Sequence, residues 1–138
     1  MRTSIVYRFK SNFSIVRIGS FMTIQLKRAY EKANPEDGVR ILVERLWPRG
    51  VKKEDAKIDE WIRDLSPTKE LRKWYSHDPA KWIQFKQRYW KELQSKHELV
   101  STLAKEIKGR KVTFVFGSKE KKLNSAAALK EYIENQFK

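Results

Sequence analysis

The chain has 138 residues and a mass of 16.5 kDa, 40% of it hydrophobic and 12% aromatic, enough for one sizeable core and too much for a disordered chain. It contains no cysteine, which excludes disulfide frameworks, thiolate metal sites and cysteine nucleophiles. No apolar run approaches the roughly 20 residues that cross a bilayer, and 31 Lys and Arg against 17 Asp and Glu leave a net charge of +14, so the sequence reads as a soluble, cytoplasmic, basic protein that attracts polyanions.

Residues 1–21 carry Arg2, Arg8, Lys10 and Arg17 and no acid, and a second methionine, Met22, follows. The cations interrupt every candidate secretion segment. This extension has three readings, in order of preference: an upstream translation ahead of a start at Met22, an accessory hairpin over 4–9 and 13–18, or a flexible basic arm. The single domain then covers 22–138.

Apolar residues alternate over 24–30, the period of a strand, with Ile24, Leu26 and Tyr30 on one side together with Arg28. Asn34, Pro35, Asp37 and Gly38 supply turn chemistry. The aliphatic run over 39–46 predicts an inner strand, although it also holds Arg40, Glu44 and Arg45. Trp47-Pro48-Arg49-Gly50 ends it, because proline cannot donate to a ladder.

Helices follow. Ile58, Trp61, Ile62 and Leu65 repeat at helical spacing, and Ser66-Pro67 stops that helix and opens a short one faced by Leu71, Trp74 and Tyr75. Asp78-Pro79 opens a long helix whose stripe runs through Trp82, Phe85, Tyr89, Leu93, Val100, Leu103 and Ile107, with Gly109 as its stop. The run over 112–116 is the clearest buried strand. After Gly117 and a lysine-rich loop, Asn124 or Ser125 caps a final helix with Ala126, Leu129, Tyr132, Ile133 and Phe137 inward. The sum is an α/β domain: a small, mainly parallel sheet flanked by helices. The link from Tyr30 to Val39 is short for a crossover and predicts antiparallel or non-neighbouring strands.

In such sheets ligands bind beyond the carboxyl ends of the strands. Two loops qualify, 45–50 and 117–124. Arg28, Arg45 and Arg49, beside a helix N-terminus at Asn124, make a candidate anion pocket, since guanidinium matches phosphate and carboxylate in two-point fashion. The competing structural reading pairs Arg45 with Glu44, Asp59 or Asp64 and lays Arg49 over Trp47. Neither loop matches a nucleotide-binding P-loop or a dinucleotide fingerprint. His77, beside Asp78, and Glu44, a carboxylate in an apolar run, are the candidates for acid–base work, against a capping loop and a structural ion pair. Two histidines, His77 and His97, make a poor metal site, so neither metal nor cofactor is expected. Aromatic and basic residues interleave over 72–89 as in single-strand nucleic-acid binders, but helical spacing turns most of the rings inward.

The run from Gly38 to Val51, with Leu46-Trp47-Pro48-Arg49-Gly50 at its centre, resembles the YeaO-like family of bacterial and archaeal proteins, a domain of unknown function (DUF488). Residues 71–75, His77-Asp78-Pro79, Trp82, Phe85, Tyr89, Glu92-Leu93, Asn124 and Ala126 continue the likeness, which spans 23–137. Glu44 stands where the family pattern usually has Asp. The resemblance implies an α/β fold, a cytoplasmic location and a chain proper starting near Met22; it implies no activity. It points to Arg28, Glu44, Arg45, Arg49, His77 and Asn124 as a shared site. The expected function is binding of a phosphate- or carboxylate-bearing ligand at the strand-end edge, with His77 or Glu44 as acid–base group if a reaction occurs. The alternatives are a nucleic-acid binder acting through its charge and a protein adaptor presenting Trp47 or Trp74. Oligomeric state is not legible.

Overall fold

Four strands form one parallel sheet: β1 (Thr23–Arg28), β2 (Val39–Leu42), β3 (Glu60–Trp61) and β4 (Lys111–Phe116). Their order is β1-β4-β2-β3. The computed structural model describes residues 22–137, so the basic extension over 1–21 and its three readings lie outside the described residues. β4 takes the central place that its Val-Thr-Phe-Val-Phe run calls for, buried at every residue after Lys111. It pairs Thr23 with Lys111 through Arg28 with Phe116 on one side, and Val39 with Val112 through Leu42 with Val115 on the other.

The short link after β1 thus joins parallel strands that are not neighbours, with β4 between them. Asn34 caps a single turn, Pro35–Asp37, by accepting from Glu36 N–H, and Asp37 returns the bond to Asn34 N–H. Asp37 carbonyl accepts from Thr113 Oγ1 at 2.7 Å, which ties the turn to the buried middle of β4. Asp37 carboxylate, itself buried, binds Lys27 and, at 2.6 Å, Arg40.

Successive residues of a strand face opposite ways, and the two faces have different covers. Ile24, Ile41, Val112, Phe114 and Phe116 point into the main core, shared with α2 (Lys69–Tyr75), α3 (Trp82–Gln94), α4 (His97–Ile107) and α5 (Ser125–Gln136). Leu42 and Val115 point the other way, where Trp47, Val51, Ile58 and Trp61 cover them.

Two expected helices come out differently. Over 58–65 the chain makes β3 and a 3-10 turn, Arg63–Leu65, after a four-residue helix α1 (Lys53–Ala56) that ends at Lys57 in the left-handed region. Helical spacing was matched here by an extended segment whose neighbours divide: Ile62 enters the main core while Trp61 packs edge-on against Trp47, 5.5 Å between rings. The long helix over 79–107 is a 3-10 turn, Pro79–Lys81, then α3 and α4, parted at Ser95 and Lys96. Ser95 Oγ donates to Glu92 carbonyl and Lys96 Nζ reaches Asp64 carbonyl, and the apolar residues on both sides of the break enter the same core. The strand expected over 39–46 stops pairing after Val43, whose N–H donates to Val115 carbonyl, and the one over 24–30 ends at Arg28. No helix among the described residues is long and apolar enough to cross a membrane.

Candidate functional site

Because all strands run parallel, the segments leaving β1, β2 and β4 meet at one edge, and a cleft of about 490 Å³ opens there. Its walls are Tyr30 after β1, Glu44 and Leu46 to Arg49 after β2, Gly117 and Ser118 after β4, and Asn124 and Ser125 at the start of α5. Arg72, Tyr75 and His77 of α2 and its exit, with Phe85 of α3, close the far side.

The loop after β2 is held by its own side chains. Trp47 Nε1 donates to Val51 carbonyl at 2.7 Å, Val51 N–H to Pro48 carbonyl, and Gly50 takes the positive φ of 80° that the turn needs. Tyr30 hydroxyl donates to Arg49 carbonyl, and Trp61 Nε1 to Glu44 carbonyl. The Trp-Pro-Arg-Gly motif is therefore a rigid frame that leaves the Arg49 side chain exposed at the rim.

Glu44 carboxylate accepts from Gly117 N–H at 2.7 Å. Burial pushes its carboxyl above the ordinary range, opposed by that N–H and by the charges of Arg72 and His77. Among the described residues it forms no ion pair. Arg72 faces the same cleft, and its Nε is fully buried without a hydrogen-bond partner. Opposite charges thus line one cavity without closing on each other. Tyr75 stacks on Phe85, 4.3 Å between rings, and donates to Leu123 carbonyl, so its ring is a fixed piece of wall.

The six residues picked from sequence divide. Glu44, Arg49, His77 and Asn124 line the cleft. His77 does so in a strained turn, since Ser76 and His77 both have positive φ, 46° and 56°. Its neighbour Asp78 accepts from Ala80 N–H as a helix cap. Asn124 is engaged within the fold: Oδ1 accepts from Ala127 N–H and Nδ2 donates to Glu120 carbonyl, so it presents the start of α5 to the cleft. Arg28 is outside the walls and braces one of them, with Nε donating to Ser118 carbonyl at 2.8 Å and the guanidinium over Tyr30. Arg45 is exposed and stands outside the cleft; among the described residues neither it nor Arg49 has an ion pair. From sequence, Tyr75 is only part of a helix's apolar face and Arg72 only one of the basic residues over 72–89, neither a site residue. The signal was their separation of three residues on α2, which sets Arg72 beside a buried ring and not on the solvated face.

No group of histidine and acidic residues that would hold a metal occurs among the described residues. Fold and cleft together define a small α/β protein with a charged pocket at the carboxyl edge of a parallel sheet. The model of a family described as the inactive DUF488-N3 subclade matches residues 23–138. The uncharacterized protein YeaO of Escherichia coli is 37% identical over 114 residues, 83% of this chain and 99% of YeaO. An uncharacterized protein of Mycobacterium tuberculosis is 35% identical over 114 residues, 82% of this chain and 95% of its own length. No solved structure matches. The chain belongs to the YeaO-like DUF488 family.

Proposed function

We propose that the cleft binds an anionic small molecule, carrying phosphate or carboxylate, and holds it without turning it over. The observation that carries this reading is the Arg72 guanidinium, which lines the cleft without an ion pair among the described residues and with its buried Nε unpartnered. A ligand oxygen in the cleft would meet the terminal nitrogens of this guanidinium, and a hydrogen bond to a charged group is worth about 1.5–3 kcal/mol. Arg49 at the rim and the first N–H groups of α5, presented by Asn124 and Ser125, add positive potential to the same cavity. Glu44 and His77 line the cleft as an acid–base role would require, but the description of the matched family as inactive favours binding alone.

Stacking of a single nucleic-acid strand has less support. Trp74 already carries Arg88 at 4.1 Å and Lys81 at 5.1 Å, and Trp82 and Trp90 share Lys86. An adaptor surface also has less support, because Trp47 and Trp74 are half-buried and Leu46, Ile83 and Tyr30 are the large apolar side chains left exposed among the described residues.

A thermal-shift series with inorganic phosphate, phosphate esters and small carboxylates tests the proposal. At about 100 times Kd the gain is on the order of 2.7 kcal/mol, a rise of roughly 8 °C for a domain of this size. Arg72→Ala is expected to cut the rise to roughly 1–4 °C by weakening binding roughly 10- to 100-fold, the worth of a charge-assisted bond, and Arg49→Ala to reduce it less. A flat series, or an unchanged rise in Arg72→Ala, overturns the reading.

A further inference from the structure

Resting on the anion-binding reading above, we infer that the occupant of the cleft is a phosphorylated sugar, free or as part of a nucleotide, with its phosphate on the Arg72 side and its hydroxyls on Glu44. A bare anion leaves the geometry unexplained. It would satisfy Arg72 but would be repelled by the Glu44 carboxylate that lines the same cavity. A carboxylate offers about four lone-pair positions, and Gly117 N–H takes one of them, so Glu44 keeps acceptor capacity for hydrogens brought by a ligand.

The hydrogens are better supplied by hydroxyls than by an ammonium group. Glu44 shares its surroundings with the Arg72 guanidinium, and a further cation there would be repelled by it. A neutral hydroxyl is not, and it bonds to the carboxyl in either protonation state. Size points the same way: about 490 Å³ lies within the ordinary range for small organic ligands and far exceeds what a phosphate ion fills. The Tyr75 ring, backed by the buried Phe85 ring stacked on it, gives the cavity an apolar wall against which the carbon skeleton of a sugar can rest, and Tyr30 and Trp47 line the mouth, where a base would lie if one is attached.

The experiment is a calorimetric titration of the full chain with inorganic phosphate, ribose 5-phosphate, AMP and O-phosphoserine, repeated on Glu44→Gln. The amide of Gln keeps an oxygen for Gly117 N–H, and its melting temperature without ligand reports whether the fold is intact. For the unaltered chain, ribose 5-phosphate or AMP is expected to bind at least about tenfold tighter than inorganic phosphate, the worth of one charge-assisted bond. AMP exceeding ribose 5-phosphate assigns the nucleotide, and the reverse assigns the free sugar phosphate. In Glu44→Gln the two classes should move in opposite directions, sugar phosphates weaker and inorganic phosphate equal or tighter. Equal affinity for phosphate and its sugar esters, or preference for O-phosphoserine, overturns the sugar assignment and leaves anion binding standing. Absence of binding by every probe removes both.

Discussion

Gly38→Ala is expected to cost about 3–5 kcal/mol of stability and to lower the melting temperature by roughly 10 °C or more. A Cβ on Gly38 would lie 2.1 Å from the Lys111 carbonyl oxygen and 2.8 Å from its carbon, and neither is the free end of a flexible side chain. With φ at 68° and ψ at −138°, Gly38 also occupies backbone territory that an L side chain enters only with strain of about 1–3 kcal/mol. The two effects meet where the link from β1 passes the start of β4 on its way into β2. Pushing that link outward would displace Asp37 from Thr113 and loosen the register that sets the three loops of the cleft together. Urea unfolding checks it: an unchanged midpoint would show that the backbone there is not closely packed.

The second large effect is at Asp37, on the same link between β1 and β2. Asp37→Ala leaves Arg40 buried with its Nη1 bereft of a counter-charge, while Nη2 already lacks a partner, and Nε keeps its bond to Ala56 carbonyl. Breaking one side of a buried pair costs about 3–5 kcal/mol. Acid should produce the same loss reversibly. Burial pushes the Asp37 carboxyl up, yet Asn34 N–H, Lys27 and Arg40 outweigh it and hold the group below its ordinary value of 3.8. A carboxyl lowered in the folded state stabilises fully above that ordinary value, and the stabilisation fades as pH falls through the folded one. Stability measured by urea should therefore drop below about pH 4 in the unaltered chain, and less steeply in Asp37→Asn. Parallel slopes in the two would place the acid-sensitive group elsewhere.

What was legible in the sequence followed from strong local chemistry. Val112 to Phe116 could hardly be anything but a buried strand, and Asn124 caps α5 as its side chain and position suggest. The parallel order brings the segments after β1, β2 and β4 to one edge, as a helix-rich interval between strands requires. Segment 58–65 was misread because period alone does not separate four apolar residues on a helix from two pairs divided between the faces of a sheet. At the site, Glu44 was visible as a carboxylate amid aliphatics. Arg72 was not, because its significance is a missing partner, and partners are settled by tertiary contacts. Arg28 and Arg45 show the reverse: the same residue type near the same edge is drawn into bracing Ser118 in one case and left in solvent in the other.

The proposed function rests on the Arg72 guanidinium, whose Nε donor lacks an acceptor among the described residues. Nitrogen-15 NMR of the Arg72 Nε–H, assigned by its loss in Arg72→Lys, reads that donor directly during titration with ribose 5-phosphate and inorganic phosphate. The expected result is a saturable shift of this resonance with the same midpoint as the amides of Gly117 and Ser118. Stabilising anions that leave the Arg72 Nε–H unmoved would contradict the account.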